Sequence, residues 1–233
     1  MGKQKPKTGS GGPGPTLAEV LASSGLLEKI TMSTRSIISR SVAQADEQGR
    51  IMLKVVSCHT CTAPKACCSL TTAVFLHEAL HVAARLLAEG RDTPALRTEL
   101  RVAAEAMENT PRTTYRRPCV FLDGDERCTI YTDRPSTCGT ALVYSPAEAC
   151  SDPATKMVDA FISQLQRELP QQVEEGVRAE LGLPRGERSY VGVMPRMVLL
   201  CLQAWNRPDF VRFFAQHVPA AAAALDRKVT AAT

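Results

Sequence analysis

Apolar positions return at helical spacing through most of the chain. Thr16-Leu17-Ala18-Glu19 is a capping box, with threonine at the N-cap and glutamate three positions on, so a helix is predicted to start here. Leu17, Val20 and Leu21 share one face, and Gly25 is placed to interrupt it. Leu26, Leu27, Ile30, Ile37, Ile38 and Val42 continue the pattern as far as Gln48-Gly49, where glycine suits a C-cap. Residues 51–57 read as a short extended segment, and 58–68, with Pro64, as a loop. Ser69 to Glu89 is predicted as a helix with Val74, Phe75, Leu80, Val82, Leu86 and Leu87 as apolar positions, ended by Gly90. Thr93 to Asn109 follows, with Leu96, Leu100, Val102, Ala103 and Met107 as its buried stripe and Pro111 as its stop.

Residues 112–150 break the periodicity. Cysteines, Pro118, Gly124, Pro135, Gly139 and Pro146 punctuate them, and nothing apolar enough to order such a stretch is visible. Helices are predicted to resume at about 153–168, 170–181 and 193–217, with Pro208 breaking the last one, and an alanine-rich tail, a frayed helix, from Pro219. The expected fold is mainly α: helices packed around an irregular, loop-rich cysteine and metal centre. The expected organisation is a flexible tail over 1–15, one helical domain over 16–218 with its centre at about 55–150, and a tail over 219–233.

Composition narrows the partners. The formal charge of +4 on 233 residues is mild, and positive residues are interleaved with acidic ones, so no nucleic-acid footprint forms. The start, Met1 to Pro6, lacks the apolar region of a secretory signal, and the run Met197 to Leu202 is too short to span a bilayer. A cytoplasmic protein with no membrane partner is expected. Nine cysteines in a reducing compartment point to metal or redox chemistry rather than a disulfide scaffold.

Eight of those cysteines are clustered. Cys58-x-x-Cys61 is followed by Cys67-Cys68; Cys119, Cys128 and Cys138 lie on turn-rich loops; Cys150 follows Pro146 as an eighth candidate thiolate. Thiolates bind zinc and iron–sulfur clusters in fours, and a C-x-x-C turn lets two sulfurs reach one ion. Eight sulfurs allow two mononuclear sites, one shared binuclear site, or one iron–sulfur cluster with spare thiols. Such sulfurs need positive or N–H neighbours, and Arg112, Arg116, Arg117 and Arg134 are close in sequence. Cys201, inside the apolar run Met197 to Leu202, reads as core packing.

Pro118-Cys119-Val120-Phe121-Leu122-Asp123, Cys128-Thr129-Ile130-Tyr131 and Asp133-Arg134-Pro135-Ser136-Thr137-Cys138 closely resemble the signature CPFLD…CxIYxxRPxxC of the YkgJ-type cysteine-cluster family, described as zinc- or iron-chelating domains. The first motif of that family is usually CxxCxxCC; here five residues, not two, separate Cys61 from Cys67-Cys68. The resemblance covers about residues 55–145 and implies metal ligation by Cys58, Cys61, Cys67, Cys68, Cys119, Cys128 and Cys138. It also implies a helix after the Cys-Cys pair. One enzyme resembling the family, flagellin lysine N-methylase, uses S-adenosylmethionine, but this chain has no glycine-rich fingerprint for such a cofactor.

A competing motif lies in the helix behind Cys68. His77-Glu78-Ala79-Leu80-His81 fits H-E-x-x-H, in which two histidines one turn apart bind zinc and the glutamate is general base; Glu99, Glu105 or Glu108 would supply a third ligand. The pattern is short, and histidines on a packing face account for it as well. His59, which could ligate, reads as solvent-facing, His217 as structural or exposed, Asp123, Asp125 and Glu126 as a solvated turn, Phe121 and Tyr131 as packing over the loops, and Asp133-Arg134 as an ion pair shaping the turn. The sequence thus points to a cysteine-cluster protein holding an iron–sulfur cluster or zinc. Iron–sulfur is favoured because only one C-x-x-C knuckle is present, where zinc ribbons pair two. The alternatives are a methylase-like protein-modifying enzyme or an H-E-x-x-H peptidase, and a protein partner is compatible with all three.

Overall fold

A computed structural model describes residues 14–59, 66–112, 114–146, 149–150, 158–160, 163–184 and 190–230. The flexible tail expected over 1–15 falls almost wholly outside them. The fold is mainly α. Helices α1 (Leu17–Ser24) and α2 (Leu26–Met52) are split at Gly25, whose φ of 63° is the left-handed conformation that glycine adopts without a steric penalty. The capping box forms as predicted: Thr16 N–H donates to Glu19 Oε2 at 2.7 Å and Thr16 Oγ1 accepts from Glu19 N–H at 3.3 Å.

Helix α2 does not stop at Gly49. It runs on to Met52, and the extended segment expected at 51–57 is instead the end of this helix followed by a 3-10 turn, Ser57–His59. Gly49 serves a different purpose from a C-cap. The chain turns at Leu53 and comes back so closely that a Cβ on Gly49 would lie 2.6 Å from the Lys54 carbonyl oxygen, while Lys54 N–H donates to Gly49 O at 2.8 Å.

The helix predicted from Ser69 begins only at Leu76. Its first residues form β1 (Ala73–Phe75), paired antiparallel with β2 (Val191–Val193) in the register Val74 to Gly192. Helix α3 (Leu76–Ala88) leaves β1 directly, and Leu76, Ala79, Leu80, Val82, Ala83 and Leu86 are fully buried. α4 (Pro94–Glu108) matches its prediction, except that Val102 is 49% exposed and Ala104 takes its place in the buried stripe. After the loops come a short helix α5 (Ser136–Gly139) and α6 (Gln164–Glu180), which continues through Pro170 where a break between two helices was expected. Of the helix expected over 153–168, residues 158–160 hold instead an extended bridge from Asp159 to Val143, and 153–157 fall outside the described residues. α7 (Met194–Ala204) and α8 (Phe210–Thr230) are separated around Pro208, as predicted. α8 carries on past Pro219, with Ala221, Ala222 and Leu225 buried, so the expected tail is packed helix as far as it is described.

The main core gathers α3 and α7 with the apolar faces of α1, α2, α6 and α8. Phe121 and Ile130 reach into it from the loops, which pins the cysteine-bearing segment to the helical body. Among the described residues, no helix is long and apolar enough to cross a membrane.

Candidate metal centre

The first turn and a half of α3 holds the loops in place. Glu78 is buried, and its two carboxylate oxygens are both engaged. Oε2 accepts from Phe75 N–H at 3.0 Å, capping the helix start, and Oε1 accepts from Ser136 N–H at 2.7 Å and Ser136 Oγ at 2.5 Å. One turn on, His81 Nε2 lies 3.3 Å from Asp133 Oδ1, and its Nδ1 lies 3.1 Å from Thr31 Oγ1 on α2. His77 faces a third way. Its Nδ1 and its backbone N–H both meet Glu174 Oε2 on α6, at 2.9 and 3.1 Å.

Both histidines of the motif are buried on packing faces, as the broader reading of it had them, and no metal-holding group forms around them among the described residues. The two histidines are engaged by different elements, and the would-be general base is committed to the α3 cap and to Ser136. Of the candidate third ligands, Glu108 is held in a two-pronged pair with Arg196 at 2.7 and 2.9 Å. The expected Asp133–Arg134 pair is corrected. Asp133 is buried and faces His81, Arg35 at 3.3 Å and Arg85 at 3.5 Å, while Arg134 lies over the Tyr131 ring at 4.2 Å. Tyr131 itself is exposed, whereas Phe121 is buried as expected.

Residues 119–130 form a small hairpin-like loop. Leu122 bridges Cys128, Asp123 N–H donates to Arg127 O at 3.0 Å, and Thr129 N–H to Phe121 O at 2.8 Å. Two of its turns are alike. The amide of Phe121, two residues after Cys119, pulls the Cys119 thiol down, and the amide of Ile130, two residues after Cys128, pulls the Cys128 thiol down. Amides placed this way favour thiolate over thiol.

Five thiols act on one another here. Cys68 shares a side-chain hydrogen bond with Cys67 and is pushed far up by it, by burial, and by the proximity of Cys67, Cys119 and Cys128. Burial first, then Cys119, Glu78 and Cys128, push Cys138 up to about 12 against the pull of Arg134. Cys119 is pushed up to about 11, again chiefly by burial, with the Phe121 amide opposing. Burial also raises Cys128, against the Ile130 amide, Arg134 and Arg91. Of the four arginines expected to offset thiolate charge, Arg134 does so. Arg116 donates instead to the Tyr115 carbonyl at 2.7 Å, and Arg117 acts on the Tyr115 hydroxyl. Arg91, which the sequence reading missed, approaches from the end of α3 and donates to Thr129 Oγ1 at 2.7 Å.

The remaining candidates sit differently. Cys58 is exposed on the 3-10 turn Ser57–His59, with Sγ 3.7 Å from Ala141 O; Ser57 ties that turn to Val143 and Ser145. Cys150 is half-buried on a short turn, and Cys61 lies outside the described residues. Cys201 is fully buried in α7, as expected for packing. No disulfide links the described cysteines.

The donor chemistry suits a soft metal: five thiols that act on one another electrostatically, with two backbone amides and two arginines opposing the rise in their pKa. The sulfurs are neighbours rather than a closed cage, for among the described residues no three Cys, His, Asp or Glu side chains are set to hold one ion.

Residues 57–159 match the family model CxxCxxCC, described as "Putative zinc- or iron-chelating domain". No curated protein and no solved structure gives a significant match to the chain.

Proposed function

From a chain that carries the CxxCxxCC domain over residues 57–159, we propose a thiolate-ligated iron centre, an iron–sulfur cluster, built on Cys67, Cys68, Cys119, Cys128 and Cys138. The observation that supports this reading is that five thiols from three stretches of chain raise one another's pKa, with Cys68 hydrogen-bonded to Cys67 and Cys119 and Cys128 each acting on both Cys68 and Cys138. Cys58, Cys61 and Cys150 form a second group of donors, near enough in sequence to the first to complete or extend it. Zinc is the second reading, because the family description names both metals and four of these thiolates would satisfy a tetrahedral ion.

When bound, iron would supply one-electron chemistry and zinc a structural cross-link. The protein's own residues hold the sulfurs in register. The Phe121 and Ile130 amides offset charge on Cys119 and Cys128, Arg134 offsets it on Cys128 and Cys138, and Arg91 on Cys128. Each thiol must lose its proton to bind, so loading releases protons and weakens as pH falls.

The methylase-like alternative gains no support: among the described residues the sheet has two three-residue strands, and the sequence carries no glycine-rich strand–turn–helix fingerprint. The peptidase alternative is set aside by the hydrogen bonds of Glu78. The test is anaerobic purification followed by elemental analysis and a visible spectrum. Iron with inorganic sulfide and broad visible absorption supports the cluster. Colourless protein with stoichiometric zinc would replace it by the second reading.

A further inference from the structure

The segment Asp133-Arg134-Pro135-Ser136 is gripped at both ends by one helix. Glu78 and His81, three residues apart on α3, meet Ser136 and Asp133, three residues apart in the loop. Each of these four side chains is buried. Two residues beyond Ser136 comes Cys138, on the short helix α5, whose first residue is Ser136 itself. Between the grips, Arg134 is left to face Tyr131 and the thiols.

We infer that Glu78 and His81 are positioning residues for the thiolate centre: they clamp the Asp133–Ser136 turn so that Cys138 is presented to the other sulfurs. The inference rests on the proposed metal reading and adds to it what the H-E-x-x-H sequence does in this chain. A helix cap alone would occupy Glu78 Oε2 with the Phe75 amide. It leaves unexplained why Oε1 collects two donors from a single residue of a remote loop. A carboxylate bound to a backbone N–H and to the hydroxyl of the same residue fixes both the position and the rotation of that residue. Residues that orient metal ligands in this manner typically contribute 10–100-fold to metal affinity.

The test uses the full chain and cobalt(II) as the probe, titrated anaerobically while thiolate-to-cobalt charge transfer is recorded. Ser136→Ala removes one hydroxyl contact, Glu78→Gln removes the charge and one acceptor, and Cys138→Ser is the reference for a lost ligand. The expected result is that Ser136→Ala and Glu78→Gln keep the far-UV circular dichroism of the parent, bind cobalt about 10–100-fold more weakly, and lose charge-transfer intensity per bound ion toward that of Cys138→Ser. A purely structural role would not move intensity per bound ion. Should Glu78→Gln fail to fold, Ser136→Ala carries the test alone. Parental affinity and intensity in Ser136→Ala and Glu78→Gln, with Cys138→Ser altered, would overturn the inference and leave the metal reading standing. Parental intensity in Cys138→Ser, or no cobalt taken up by thiols in the parent, would overturn the inference together with its premise.

Discussion

His81 Nε2 lies 3.3 Å from Asp133 Oδ1, in a pocket that also holds the side chains of Arg35, Arg85 and Thr31. Burial holds the histidine below its ordinary range, and the two arginines push the same way, while Asp133 opposes them. The folded protein therefore binds a proton at His81 less readily than the unfolded chain does. Stability contributed by the neutral ring is complete above the unfolded value of about 6.5 and declines as pH falls below it. Urea midpoints measured between about pH 7.5 and pH 5.5 should fall with pH, and His81→Gln should flatten that slope.

Asp133 acts in a lower window. Burial works against its charge, but the Thr132 hydroxyl, His81, Arg85 and Arg35 together outweigh it and hold the carboxyl below its ordinary range. Its contribution is present above about pH 4 and is lost as pH falls further. Asp133→Asn should remove that acid-side decline while leaving the Arg35 and Arg85 cations beside His81 with no carboxylate between them. The variant is expected to be less stable at neutral pH by about 1–3 kcal/mol, read from denaturant unfolding.

Gly139 follows Cys138 directly, and a Cβ there would lie 2.5 Å from Ile38 Cγ1 and 2.6 Å from Ile38 Cδ1 on α2. Ile38 is β-branched and has few rotamers to retreat into. Gly139→Ala is expected to push α5 off α2 at a cost of about 1–3 kcal/mol, and to weaken metal retention through Cys138. Gly139→Ala combined with Ile38→Ala should restore both, as measured by thermal unfolding and bound metal.

Leu53 has a φ of 55° at the turn that ends α2, and its side chain is 94% exposed. A bulky residue pays for the left-handed conformation and here gains no burial in return. Leu53→Gly should raise stability by about 0.5–1 kcal/mol, seen as a higher denaturant midpoint with unchanged metal content.

Much of the helical frame was legible. The Thr16 to Glu19 box, the break at Gly25, α4 and the division at Pro208 all follow from local capping and proline chemistry, which act within one turn of chain. The strands were not legible. Ala73–Phe75 is three apolar residues fused to a helix, and only pairing with the distant Val191–Val193 makes it a strand. Gly49 was read as a helix end because close approach of a returning carbonyl leaves the same signature in sequence as a left-handed turn.

The candidate site divides in the same way. Cysteine spacing marked the candidate donors, and Cys67, Cys68, Cys119, Cys128 and Cys138 influence one another electrostatically in the fold. The long-range contacts of the surrounding loops were missed. Glu78, His81 and Arg91 act on the loops across long stretches of chain, and His77-Glu78-His81 carried a motif that pointed elsewhere. The Asp133–Arg134 pair failed because adjacent residues in this turn face opposite ways, one into the α3 pocket and one over Tyr131.

The most direct measurement is metal and inorganic sulfide content, with a visible spectrum, on anaerobically purified parent protein beside Cys119→Ser, Cys138→Ser and Cys201→Ser. A thiolate centre predicts bound iron with sulfide and broad visible absorption in the parent and in Cys201→Ser, and its loss in Cys119→Ser and Cys138→Ser. A parent containing neither iron nor zinc, or metal retained unchanged in all three variants, would contradict it.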